Sequence, residues 1–222
     1  RREPRMTPKP QPKTPRKPPK PLTRRSSDLV GVRPTLWRIG ATIGDYVLEW
    51  NEARDFGPLR TMRWDPHHPP QSVQPDRAVI YASPSPITAV AEKFQKYRTI
   101  DPFTAAPCLY GWSATRQLTL LDLRGNWPIN NKGSASMPMG PRNVCRAWSA
   151  AILDTWPELD GLLTRSTMDG RDTYVLFPPA RTSMPDEPRH ARLLTDPAVY
   201  CYLDLWADEI NYDIADAPWP PA

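Results

Sequence analysis

The chain has 222 residues, 39% apolar and 9% aromatic, enough to bury the core of one ordinary domain. No stretch approaches the ~18 consecutive apolar residues of a membrane span, and no apolar run follows the basic start as a signal peptide requires. Thirty prolines and a net charge of +5 are spread too unevenly for a uniform globule.

Residues 1–28 hold ten Lys or Arg, two acids and eight Pro. This segment carries +8, so the other 194 residues carry −3 of the net +5. Such a composition is expected to give a disordered tail or linker, because it buries too little surface to offset chain entropy. An arm for nucleic acid or an acidic partner is the other reading. A first residue of Arg1 fits a fragment, a processed product or a piece of a larger secreted polypeptide.

The folded region is expected over 29–222, with its core from about Leu36. Ala78 to Ser83 is a short apolar run ended by Ser-Pro, a buried strand. Ser85-Pro86 predicts an N-cap followed by proline in the first turn, with Ile87, Val90, Ala91 and Phe94 facing the core. Glu92 falls off that stripe. Leu118 to Leu123 predicts another strand, 132–141 a loop, and 142–156 a helix with Val144, Ala147, Trp148, Ala151 and Ile152 on one face. Gly161 to Ser166, a turn at Asp169-Gly170 and Tyr174 to Phe177 predict paired strands. Residues 178–197 read as irregular, and Val199, Leu203, Trp206 and Ile210 as one final helix. Strands mixed with short helices predict an α+β domain.

Cys108, Cys145 and Cys201 are odd in number and widely spaced, which favours free thiols and a cytoplasmic site of action. The sequence holds no phosphate loop, dinucleotide fingerprint or nucleophile elbow. His67 and His68 are adjacent, lack metal-ligand spacing and read as surface loop; with only His190 remaining, a serine–histidine triad is poorly supplied. Any catalysis must therefore run on Arg, Tyr, Glu and Ser, and no metal is expected.

Those residue types also carry a resemblance. Trp37-Arg38-Ile39 resembles the opening arginine motif of RES-domain proteins, and Arg63-Trp64-Asp65 their Arg-Trp-Asn element. Ala78 to Ser83 followed by Ala89-Val90-Ala91-Glu92 resembles their strand-then-helix block, and Gly161 to Ser166 leading to Tyr174 to Phe177 their late strand motif. These pieces span 36–177. The resemblance implies a split β-sheet core like the ADP-ribosyltransferase toxins, consumption of NAD as substrate with no cofactor, and an antitoxin or immunity protein that blocks the cleft.

On that resemblance Arg38 and Arg63 are candidates to clamp the pyrophosphate through their planar guanidinium forks. Tyr81 would stack on nicotinamide. Glu92 would stabilise the ribosyl cation left by nicotinamide, and Ser166 would orient the ribose or a phosphate. Catalytic roles fall to Glu92, Arg63, Tyr81 and Ser166, and NAD binding to Arg38, Arg63, Tyr81 and Ser166. The ADP-ribosyl acceptor remains open among water, phosphate and a protein side chain. Binding through the basic tail, or a fold that lost its chemistry, are the readings of another class. Two features depart from the pattern: the Pro/His-rich stretch 66–75, and Asp65 in place of Asn, which sets a negative charge near a site meant for phosphates.

Overall fold

Neighbouring residues of the central strands part to opposite sides, as the two-residue period of a β-strand requires. A computed structural model describes residues 10–217. Its strands are β1 (Leu29–Val32), β2 (Thr35–Gly40), β3 (Phe56–Gly57), β4 (Ser72–Val73), β5 (Ile80–Ala82), β6 (Thr99–Ile100), β7 (Cys108–Ser113), β8 (Leu118–Asp122), β9 (Gly161–Arg165), β10 (Asp172–Leu176), β11 (His190–Leu193) and β12 (Asp213–Ile214). Its helices are α1 (Pro86–Lys93), α2 (Trp127–Asn130), α3 (Arg142–Thr155), α4 (Pro197–Tyr200) and α5 (Leu203–Ile210).

One sheet runs β1-β8-β9-β10-β5 and a second runs β11-β7-β2. All pairs in them are antiparallel except β8 with β9, which are parallel and joined through α2 and α3. Leu121, Leu162 and Val175 face α3, where they meet Trp64, Trp127, Trp148 and Ile152. Their neighbours Leu120, Leu163 and Leu176 face the other way, against Leu36 and Trp112 of the smaller sheet. On that sheet's far side, Leu109 packs with Val90, Leu194, Leu203 and Tyr212. The result is four layers: α3, large sheet, small sheet, then α1 with α5. This is the α+β split-sheet core expected from the sequence.

The two sheets are joined where Trp37 N–H donates to the Ser83 carbonyl at 2.7 Å and Ser83 N–H returns a bond to Trp37 at 2.9 Å. Gly161 opens β9 with φ of +149°, and a Cβ there would lie 2.0 Å from the Val175 carbonyl oxygen. Only glycine permits that approach.

Several expectations are corrected. Ser85 precedes α1 but caps nothing with its side chain; its carbonyl instead takes the Ser83 hydroxyl at 2.7 Å. The 132–141 loop contains a single 3-10 turn, Met137–Met139. Residues 178–197 include a 3-10 segment, Pro178–Ser183, and β11, whose backbone satisfies the otherwise open edge of β7. The final helix breaks in two at Cys201 and Tyr202, although its stripe packs inward as predicted; Tyr202 stacks on Trp206 at 5.9 Å. The three cysteines are free thiols. No helix among the described residues is long and apolar enough to cross a membrane.

Residues 1–9 of the expected tail lie outside the described residues. From residue 10 to Arg25 the chain has no helix or strand, as its composition requires, yet it is strapped to the body. Trp148 Nε1 donates to the Pro15 carbonyl at 2.9 Å, and Trp127 Nε1 to the Thr23 carbonyl at 2.9 Å. Asn131 grips the Thr23 backbone through both its amide nitrogen and its oxygen. Leu22 is buried in the α3 core cluster, and Arg24 pairs with Glu158 at 2.6 Å while lying over Trp156. Buried indole N–H groups need acceptors, and here the strap supplies them.

Deleting residues 1–25 is expected to cost about 2–4 kcal/mol, the burial of Leu22 plus several net hydrogen bonds less the strap's ordering entropy. Urea unfolding followed by tryptophan fluorescence checks it: the midpoint should fall and native emission shift to the red. An unchanged midpoint would show that the strap contributes nothing.

Candidate active site

Helix α1 starts directly after the joint between the sheets, with Pro86 in its first turn, and its apolar face docks inward through Ile87, Val90 and Ala91. Glu92, off that stripe, is left at the helix edge. Ser166 directly follows β9 and is 1% exposed. The two meet: Ser166 Oγ donates to Glu92 Oε1 at 2.6 Å, a length typical of a hydroxyl on a carboxylate. Ser166 Oγ accepts in turn from Met168 N–H at 3.0 Å. The other carboxylate oxygen, Oε2, accepts from Gln95 Nε2 at 3.2 Å, and Gln95 Oε1 accepts from Arg142 Nη2 at 3.2 Å. Glu92 is thus held at both oxygens, from the β9 end on one side and the start of α3 on the other. Each oxygen keeps a lone pair for a further donor.

Arg38 lies on β2. Its Nη1 donates to the Trp50 and Glu52 carbonyls, both at 3.2 Å. Burial pulls its pKa below the ordinary arginine value, with Tyr110 and Glu52 pulling back; an arginine stays protonated regardless. Lys93, next to Glu92, is likewise held below the usual lysine value by burial and by the Arg38 charge. The Tyr110 hydroxyl is pushed up to about 12, by burial first and then by Cys108. Among the described residues neither Arg38 nor Lys93 forms a salt bridge, and the carboxylate whose charge acts on Arg38 is Glu52.

Arg63 sits in the loop between β3 and β4 and donates to the carbonyl of Gly140, just before α3. The Tyr81 ring packs on the α3 side of the large sheet with Trp64. Its hydroxyl is buried without a well-formed hydrogen bond, and burial followed by the Asp65 charge raises its pKa far above the tyrosine norm. The candidates therefore fall into two groups. Glu92 and Ser166 touch; Arg63 and Tyr81 gather around Trp64 and the start of α3, connected to the first group through Arg142 and Gln95. Arg38 stands apart from both, on the face of β2 that carries Leu36 and opposite Trp37 and Ile39, which pack with α1.

Gln95, Lys93 and Arg142 were absent from the sequence candidates. Gln95 stands three residues after Glu92, a spacing at which helix-end side chains meet, and that was the available signal. Arg142, 47 residues further on, gave none.

The two histidines were expected in a surface loop; His68 is exposed, but His67 is 2% exposed. His67 Nε2 lies 2.9 Å from the Asp55 carbonyl, which can only accept, so Nε2 carries a proton. Nδ1 lies 3.3 Å from Asp65 Oδ1. Asp65 is itself fully buried and also bonded by Arg54 and by Leu59 N–H. The charge that departs from the family pattern is thereby neutralised inside the protein. Among the described residues no group of three His, Cys, Asp or Glu is placed to hold a metal.

The RES domain family model matches residues 35–203. The chain belongs to the RES domain family. The matched span contains Arg38, Arg63, Tyr81, Glu92 and Ser166, and leaves the N-terminal strap outside. Among solved structures, the M. tuberculosis MbcT–MbcA toxin–antitoxin complex is similar, with a TM-score of 0.54, 19% identity, and coverage of 80% of this chain and 92% of that chain. At that identity the likeness concerns the RES fold. No curated protein sequence matches the chain.

Burial alone would raise the Asp65 pKa, but hydrogen bonds from His67, Arg54 and Leu59 outweigh it and hold the carboxyl below the usual carboxylate range. A depressed folded pKa contributes stability above the unfolded value of about 3.9, lost as pH falls through the folded value. Unfolding free energy should therefore decline below about pH 4, and Asp65→Asn should flatten that decline while costing about 1–3 kcal/mol at neutral pH. Denaturant titrations between pH 2.5 and 7 measure both.

Proposed function

We propose that this RES domain is the toxin of a toxin–antitoxin pair and that it acts by cleaving the nicotinamide–ribose bond of NAD. The observation that carries the reading is the Glu92 carboxylate, fixed at both oxygens by the neutral donors Ser166 and Gln95, which orient its charge without cancelling it. Membership in the family supports it, as does the likeness to a toxin solved with its antitoxin.

The chemistry follows from the charges. NAD offers a pyrophosphate, two anionic groups that suit cations lacking a protein counter-ion. When the C1′–N bond breaks, its electron pair goes to the nicotinamide nitrogen and neutralises the pyridinium. The ribose is left as an oxocarbenium ion. A carboxylate that is already oriented stabilises this charge as it develops, without having to reorganise. The free lone pairs of Glu92 also suit a ribose hydroxyl donor. Attack by water or phosphate at C1′ forms the new C–O bond and releases a proton. Ser166 already donates to Glu92, so its part is to hold that carboxylate. To meet Arg63 and Tyr81 as well, NAD would have to span from Glu92 to the start of α3. The partner is a protein that covers the cleft, and the site of action is the cytoplasm where NAD resides.

Incubating the purified chain with NAD and following nicotinamide tests the reading. Wild type should release it, and Glu92→Ala should be slower by about 10²–10³-fold. Free ADP-ribose in the products identifies water as acceptor, a phosphorylated ADP-ribose identifies phosphate, and a mass increase on added protein identifies transfer to a side chain. Equal rates for wild type and Glu92→Ala would sink the mechanism.

A further inference from the structure

Thr88 and Glu92 are four residues apart on α1, so both project from one side of the helix. Both reach the same turn after β9. Glu92 takes the Ser166 hydroxyl, and Thr88 Oγ1 donates to Asp169 Oδ2 at 2.7 Å. Thr88 is wholly buried and the Asp169 side chain is 8% exposed, so this second bond is shielded from water. Inside the turn, Asp169 Oδ1 accepts from Arg171 N–H at 3.1 Å, and Ser166 N–H donates to the Arg171 carbonyl at 2.7 Å. The turn is therefore a closed unit. Arg171 also lies 3.6 Å from Asp169 and pairs with Glu209, which ties the unit to α5. No step of the NAD chemistry uses Thr88 or Asp169, yet a buried carboxylate is costly unless its bonds are specific.

We propose that Thr88 and Asp169 are positioning residues, a second point of attachment that stops α1 from rotating about the Glu92–Ser166 bond and so fixes the Glu92 carboxylate against the substrate. The assignment rests on Glu92 being the charge-stabilising group in NAD cleavage. The buried apolar face of α1 sets its position, and two hydrogen bonds about one helical turn apart, roughly 5.4 Å along the axis, fix the finer rotation that aims Glu92. Displacing a charged group by about 1 Å is enough to cost on the order of 10²-fold in rate, so a clamp remote from the reacting atoms matters.

The test uses the full chain with NAD as the probe, reading kcat and KM for nicotinamide release and the urea midpoint of each variant. Thr88→Val keeps the shape and removes the hydroxyl. It should lower kcat by about 10- to 100-fold while KM stays within about threefold, and Thr88→Ser should restore most of the rate. Because the clamp acts through Glu92, Thr88→Val added to Glu92→Ala should slow the enzyme no further. Wild-type kcat in Thr88→Val, or a full additional loss on top of Glu92→Ala, overturns the proposal. Should Thr88→Val fail to fold, Asp169→Asn is read in the same cycle; it weakens the bond and should lower kcat by about three- to tenfold, and wild-type kcat in it overturns the proposal. No nicotinamide release from wild type overturns the NAD reading and this assignment with it. Release by wild type with an unaffected Thr88→Val overturns the clamp alone.

Discussion

Two backbone hydrogen bonds between Trp37 and Ser83 join the sheets, and the site depends on that joint. On one side it ends β5 and launches α1; on the other it fixes β2, the strand that carries Arg38. A slip of one residue in this pairing would turn Arg38 into the opposite layer, because strand side chains alternate. The placement of Arg38 and of α1 is thus set by backbone geometry, which is stiffer than any pair of side chains.

Around this joint the protein shields its charges selectively. Asp65 is surrounded by Arg54, His67 and a backbone N–H, and Asp160 is bridged twice by Arg116. Those carboxylates are consumed by the structure. Glu92 is bonded only by neutral donors, Ser166 and Gln95, so its charge is oriented without being cancelled. Arg38 is treated likewise, with backbone carbonyls as partners. Neutral partners hold a charged group in place while leaving it available to a ligand.

The candidate residues were legible in uneven measure. Glu92 and Ser166 came from the family resemblance, since nothing in local pattern tells a functional glutamate from a solvated one. The Asp65 charge looked like a threat to phosphate binding, and only the positions of Arg54 and His67 show it to be sealed away. His67 and His68 are identical by sequence criteria; one is interior and the other exposed, because Gly57 leaves room against the imidazole of His67 alone. Asp169 read simply as a turn residue, and it is that as well as the partner of Thr88.

By itself the sequence determined the local elements whose period is strong: the 78–83 strand, α1, α3 and the β9–β10 pair, each driven by apolar spacing. It also determined that residues 10–25 take no regular structure, since proline forbids it. Tertiary structure alone decided that this segment straps onto α3, because the acceptors for the Trp127 and Trp148 indoles lie more than 100 residues away in sequence. It decided the place of β11, a strand with little apolar signal that forms because β7 offers an open edge. And it decided which of many Arg, Glu and Ser residues meet, since hydrogen bonds between distant segments leave no period in the chain to read.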